Sequence, residues 1–119
     1  MLQIRRPRPP RRGSWVAAGL PTFRRVVGDD RVVESSATLG DDDVSEFVNK
    51  YGGLYVMLGA PDAALNADGV PVPVEGGRGM VANHNPHFYL DDDTLVTGVR
   101  LHAHVAVDHL AGRLVPATG

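Results

Sequence analysis

The last third of the chain has the most regular alternation of apolar and polar positions. Between residues 100 and 108, apolar side chains at every second position alternate with arginine, histidine and aspartate. A period of two is typical of a strand with one buried face. The pattern therefore predicts strands at 87–90, 94–99 and 101–107, with Asp91–Asp93 as a hairpin turn. A further turn is expected at 108–112, where Gly112 follows the run.

Shorter apolar runs predict further strands upstream. Residues 31–39 have an apolar start and a polar middle, and a short strand is also expected at 22–27. The run 54–58 is continuously apolar and indicates a buried strand. In 70–74, two prolines alternate with valine; because proline cannot donate a ladder hydrogen bond, this segment is predicted as an edge strand or an extended segment.

One helix is predicted, at about residues 43–51. Asp43 followed by Glu46 resembles a capping box, and Val44, Phe47 and Val48 fall on one helical face. Gly52 is expected to end the helix. With one short helix among several short strands and many Gly and Pro turns, the expected fold is mainly β, or α+β. We expect a small barrel-like or sandwich-like domain.

Charge divides the chain more sharply than hydropathy does. Seven arginines precede the first acidic residue, Asp29, whereas residues 29–119 hold 14 acidic and five basic side chains. Residues 1–28 thus carry +7 and residues 29–119 carry −9, which gives the net −2 of the whole chain. Prolines at 7, 9 and 10 favour extended backbone. We therefore predict a Pro/Arg-rich extended N-terminal arm at 1–28 and a compact acidic domain at 29–119.

A basic arm on an acidic body implies a polyanionic or acidic partner. Arginine pairs bidentately with carboxylates and phosphates alike. The preferred interpretation is a non-enzymatic interaction protein. Its arginine-rich arm would dock on neighbouring subunits of a larger assembly, which would include further copies of the same chain. Phage virion accessory proteins for capsid decoration or head–tail connection have this general build. The alternative is a nucleic-acid-binding module. The predicted partner-binding residues are Arg5, Arg6, Arg8, Arg11, Arg12, Trp15, Arg24 and Arg25.

The histidines offer a further alternative, a small metalloprotein. On the predicted strand, His102 and His104 would project from the same face, and imidazole is a common ligand for zinc, nickel and iron. His84, His87 and Asp108 are the additional candidate ligands. The competing interpretation is a solvent-facing strand with exposed histidines. That interpretation is preferred, so no metal or other cofactor is predicted.

Other chemistry finds little support in the sequence. The chain has no cysteine, which excludes disulfides and thiol catalysis. No G-x-S-x-G motif is present, and the loop Gly76–Gly79 lacks the lysine and hydroxyl residue of a phosphate loop. The chain is therefore not expected to be an enzyme. It also shows no export signal and no apolar run long enough to span a membrane, so an intracellular or virion-associated location is expected.

Overall fold

The computed structural model describes residues 2–5, 15–35, 43–59 and 62–116, which form an α+β fold with three helices. The fold is not mainly β and is neither a barrel nor a sandwich, so that expectation is wrong. In chain order the elements are β1 (Leu2–Arg5), α1 (Trp15–Val27), a 3₁₀ turn (Asp29–Arg31), β2 (Val32–Ser35), α2 (Val44–Tyr51), β3 (Val56–Leu58), β4 (Ala63–Leu65), β5 (Pro71–Pro73) and α3 (Asp92–Leu110).

Residues from the predicted arm form the middle of the main sheet. The strand order is β2-β1-β3, with β1 parallel to β2 and antiparallel to β3. Leu2 lies opposite Val32 on one side and Leu58 on the other. Deleting residues 1–14 would therefore remove the central strand together with the five arginines before Trp15. The boundary at residue 28 stays a prediction.

A separate two-stranded hairpin contains the proline-rich segment. β4 pairs with β5 in antiparallel fashion, with Ala64 opposite Val72 and the prolines at the ends of β5. A two-stranded sheet has only edge strands, so the prediction of an edge strand here is confirmed. Asn66 closes the turn because its side-chain oxygen accepts from the backbone N–H groups of Asp68 and Val70 at 2.9 Å each.

The core lies between α1, α3 and the main sheet. Val16, Phe23 and Val26 are buried on α1 and meet Leu101 of α3. Their spacing of seven and three residues lies on one helical face, so the strand expected at 22–27 is wrong. Pro21 sits inside α1 on the exposed side. Burial of the opposite face offsets the cost of about 3 kcal/mol that proline imposes within a helix.

The largest correction concerns the C-terminal region. Residues predicted as the strands 94–99 and 101–107 form the single helix α3. Asp91 caps this helix, its side chain accepting from the N–H of Asp93 at 3.2 Å, so Asp91–Asp93 is a helix start rather than a hairpin turn. The buried residues Leu101 and Asp108 are seven positions apart, which is two helical turns. The burial of one face of the helix therefore decides the secondary structure here, although the apolar and polar residues alternate with the period of a strand.

Helix α2 was predicted at the right place but for a partly wrong reason. The helix covers Val44–Tyr51 and ends at Gly52, whose N–H reaches the Val48 carbonyl. Asp43 precedes the helix without a side-chain capping bond, so the capping-box expectation is wrong. Gly52 has φ 75° and ψ 167°, a conformation that only glycine adopts readily.

Candidate ligand-binding site

A groove of about 440 Å³ opens between α1, β3 and α3. Its size lies within the range of about 300–1,000 Å³ that is typical of small-molecule sites. Two histidines of α3, His102 and His109, and Tyr55 are the polar side chains of a mostly apolar wall. Main apolar contributors are Trp15, Phe23, Leu54, Leu58, Leu101 and Val105.

Trp15 forms one end of the groove. It begins α1 and is only half-buried, and its ring lies 6.1 Å from that of His109 at an interplanar angle of 48°. A Cβ at Gly52 would lie 2.6 Å from Trp15 Nε1, so the indole packs directly on the end of α2. Trp15, predicted as an anchor for a partner, is thus placed at the α1–α2 contact and in the groove wall.

The helix separates the two histidines that the sequence placed together. Residues two apart on a helix point in directions about 160° apart. Accordingly His102 lines the groove and His104 lies outside it, although both side chains are exposed. His109, seven positions after His102, returns to the groove side. The sequence pattern does not reveal the pair His102 and His109, because the alternation predicts a strand in this segment.

The histidine rings are held by backbone carbonyls. Nδ1 of His102 lies 3.0 Å from the Gly98 carbonyl oxygen, and Nδ1 of His109 lies 3.4 Å from that of Leu114. A carbonyl only accepts, so the first contact assigns the proton of neutral His102 to Nδ1. Nε2 of His102 is then a hydrogen-bond acceptor. The contact of His109 is long for a hydrogen bond and fixes its tautomer less firmly.

The candidate metal ligands are not assembled in the described part of the chain. Within it, no group of three His, Asp or Glu side chains is arranged to hold a metal ion. His84 and His87 are exposed in the segment before α3. Asp108 is engaged elsewhere.

Asp108 joins the C-terminal end of α3 to α1. Its carboxylate is buried, accepts from Thr22 Oγ1 at 2.6 Å and from Arg25 Nη2, and receives Arg113 Nε at 2.9 Å. The hydroxyl of Thr22, followed by the guanidinium of Arg25, holds the pKa of Asp108 well below its usual range. The carboxylate therefore stays ionised and serves as a structural acceptor.

The sequence did contain a signal for this junction. Thr22 and Arg25 are three residues apart on α1 and share a face, and Asp108 continues the buried face that starts at Leu101. An aspartate on the apolar face of a helix needs a buried partner. The signal is visible only once α1 and α3 are recognised as helices.

The predicted partner-binding arginines fall into three groups. Arg25 pairs with Asp108, and Arg24 Nε lies 4.0 Å from Asp29 Oδ1 in an exposed contact. Arg5 belongs to β1. The remaining four, Arg6, Arg8, Arg11 and Arg12, lie outside the described residues.

The Gly-rich loop at 75–79 is held by a second ion pair. Arg78 Nε lies 3.0 Å from Asp62 Oδ2, and its guanidinium carbon stands 4.0 Å from the centre of the Tyr89 ring. Tyr89 donates its hydroxyl to the Gly79 carbonyl at 2.6 Å and accepts from the Asp62 N–H at 2.8 Å. The hydrogen bonds from Arg78 lower the pKa of Asp62. Arg78 is thus engaged within the chain.

Comparison with known proteins gives one partial similarity. The chain is similar to the IAA-amino acid hydrolase ILR1-like 2 of Arabidopsis thaliana, with 26% identity over 87 residues. The alignment covers 73% of this chain but only 17% of the hydrolase, so the chain spans about a sixth of its relative's length. No known family and no solved structure matches the chain. Among the described residues, no helix is long and apolar enough to cross a membrane.

Proposed function

We propose that the chain is a binding module for an aromatic amide, held in the groove between α1, β3 and α3. The observation that carries the proposal is the composition of this groove, an apolar cavity edged by two histidines. The relative's name supplies the ligand class, because an IAA–amino acid conjugate joins an aromatic acyl group to an amino acid through an amide.

The groove offers complementary chemistry for each part of such a ligand. Trp15, which is half-buried, provides aromatic surface for stacking against the indole ring of the conjugate, and the buried Phe23 forms part of the wall behind it. Nε2 of His102 accepts a hydrogen bond from the amide N–H, since its Nδ1 proton is directed at Gly98. The carboxylate of the amino acid part then lies at the open side of the groove, in water, where its charge needs no buried partner.

The test is calorimetric titration of the full chain with an IAA–alanine conjugate, comparing wild type with His102→Phe. Phenylalanine keeps the apolar surface but removes the acceptor, so affinity should fall roughly tenfold, the equivalent of one lost hydrogen bond. His104→Phe is the matched control, because His104 lies on the same helix outside the groove, and it should bind like wild type.

Two results would contradict this proposal. One is the absence of any binding heat with wild type, and the other is an equal loss of affinity in both variants. Free alanine in the titration cell would be assayed as well. Release of alanine would add hydrolysis to binding and replace the expectation that the chain is not an enzyme.

A second candidate function concerns the arginine-rich segment. We propose that this segment docks on acidic protein surfaces, as the charge division of the chain suggests. A specific observation favours it: β1 fixes the chain at Arg5 and α1 fixes it again at Trp15. Both described residues that flank the segment are therefore held in the fold, which lowers the entropy lost when the arginines between them bind. Nucleic acid is the alternative ligand, and the virion role stays a hypothesis of the same kind.

This candidate is tested by replacing Arg6, Arg8, Arg11 and Arg12 with glutamine in the full chain, which leaves β1 in place. Binding to polyglutamate and to a short DNA duplex would be measured at low and high salt. Wild type should bind polyglutamate and lose it with salt, and the variant should not bind. Replacing the exposed Arg31 and Arg100 instead is the control. Preference for the duplex would favour the nucleic-acid alternative, and binding by neither route would refute both.

A further inference from the structure

The outward face of α3 is an apolar stripe that no described element covers. Five of its six side chains are more than half exposed, from 53% for Leu95 to 86% for Leu110, and the sixth is the exposed Ala103. Helical geometry places all six on one side of α3, opposite the buried Leu101 and Asp108. The stripe consists of Leu95, Val96, Val99, Ala103, Val107 and Leu110.

We propose that this stripe binds the same stripe of a second copy of the chain, with the two α3 helices antiparallel. The stripe is nearly palindromic about Ala103. A two-fold axis there brings Val96 against Leu110 of the partner subunit and Val99 against Val107 of the partner subunit, as an isologous interface requires. Alanine at the centre lets the helix axes approach closely.

The charges at the helix ends favour the antiparallel arrangement. Asp92 and Asp93 are in the first turn of α3. Arg113 follows its last turn; its guanidinium pairs with Asp108 of the same chain, and its side chain is still 61% exposed. Antiparallel pairing brings these aspartates to the level of Arg113 of the partner subunit. Parallel pairing would instead place aspartates beside aspartates, which costs free energy through like-charge repulsion.

The dimensions of the stripe suit a modest dimer. A helix of 19 residues is about 28 Å long, which matches the shorter extents of the molecule, 29 and 26 Å. A standard stable interface buries about 800 Å² per partner, roughly a tenth of the 8809 Å² that this chain exposes. One helical face lies at the lower end of that class, so we expect a dissociation constant in the micromolar range.

The charge of α3 also argues against a membrane as the occupant. Helices that lie on anionic lipid surfaces carry lysine and arginine beside their apolar face. α3 carries Arg100 alone against three aspartates. Binding to a second copy of the chain, by contrast, does not require basic residues beside the apolar stripe.

The test is sedimentation equilibrium of the full chain over a wide concentration range, for wild type and Val99→Lys. Val99 is 69% exposed, so its replacement should leave the monomer folded by circular dichroism. Wild type should form dimers at tens of micromolar, whereas Val99→Lys should stay monomeric. Val70→Lys is the matched control, since Val70 is a 52% exposed valine outside α3, and it should dimerise like wild type.

Orientation is tested by disulfide trapping, for which the cysteine-free chain is well suited. Val96→Cys and Leu110→Cys variants should crosslink to each other in a mixture far more than either does to itself. Preferential self-crosslinking would overturn the antiparallel arrangement. A monomeric wild type at hundreds of micromolar, or a Val99→Lys variant that still dimerises, would overturn the proposal, even if vesicles or another protein bind the stripe.

Discussion

The two faces of α3 reverse the usual distribution of polar and apolar groups. The inward face carries the buried carboxylate of Asp108 beside Leu101, and the outward face carries the exposed stripe that includes Val99 and Leu110. A carboxylate is tolerated inside because Thr22, Arg25 and Arg113 supply its hydrogen bonds. The comparison teaches that hydrophobicity alone does not indicate which face of this helix is the core. The contacts that the side chains of each face make with other elements determine which face is buried.

The largest effect is expected from truncation on the inward side. Phe23 is 2% exposed and packs in the core between α1 and α3, so Phe23→Ala should lower the free energy of unfolding by about 3–5 kcal/mol. Phe47, 62% exposed on α2, is the control and should change stability by less than about 0.5 kcal/mol. Urea unfolding followed by circular dichroism measures both. Equal losses would mean that the core lies elsewhere.

The comparison becomes sharper within α3 itself. Leu101→Ala should cost about 2–5 kcal/mol, since Leu101 is 7% exposed and meets α1. Leu110→Ala makes the same chemical change on the outward face and should barely alter the stability of the monomer. Chemical denaturation at concentrations below dimer formation distinguishes them. A larger loss for Leu110 than for Leu101 would invert the assignment of the two faces.

The third effect depends on pH and arises from Asp108. Its pKa is lowered in the folded state, so the unfolded chain binds the proton more tightly. The stabilisation from this carboxylate is therefore fully present above the unfolded pKa of about 3.9 and is lost as pH falls from there toward the lower folded value.

Asp108→Asn provides the control for this prediction. Asparagine should destabilise the chain at neutral pH and flatten the dependence of stability on pH below about 4. Thermal unfolding at a series of pH values would show the change of slope. An unchanged acid limb in Asp108→Asn would assign the dependence to other carboxylates.

A smaller effect is expected at the rim of the groove. Gly52→Ala places a methyl group against Trp15 and forces alanine into a glycine-specific conformation, at a cost of about 1–3 kcal/mol. Gly69→Ala is the comparison, because Gly69 has a similar φ of 73° but open space around it. Trp15 fluorescence measures the contact, and it should change in Gly52→Ala but not in Gly69→Ala. Identical spectra in the two variants would contradict the contact.

Local signals predicted the local elements of this fold well. Gly52 and the apolar spacing of Val44 and Val48 located α2, and the prolines at 71 and 73 located an edge strand. These features act through backbone conformation and nearby residues, so they can be recognised without knowledge of the tertiary fold.

The elements that fail are those decided by distant contacts. The alternation around His102 and His104 suits a strand, yet α3 forms because Leu101 and Asp108 find partners on α1. The placement of β1 between β2 and β3 depends on pairing with residues about 30 and 55 positions away. For the same reason the sequence could not assemble the groove, whose walls come from three separated elements.

The most direct test of the central claim is a two-dimensional NMR map of the labelled full chain during titration with an IAA–alanine conjugate. The claim is that the inward side of α3 forms the ligand site and the outward stripe does not. At constant protein concentration, the account predicts shifts of His102, His109 and Leu101, with Val99 and Val107 unchanged. Shifts confined to the outward stripe, or no shifts at saturating conjugate, would contradict it.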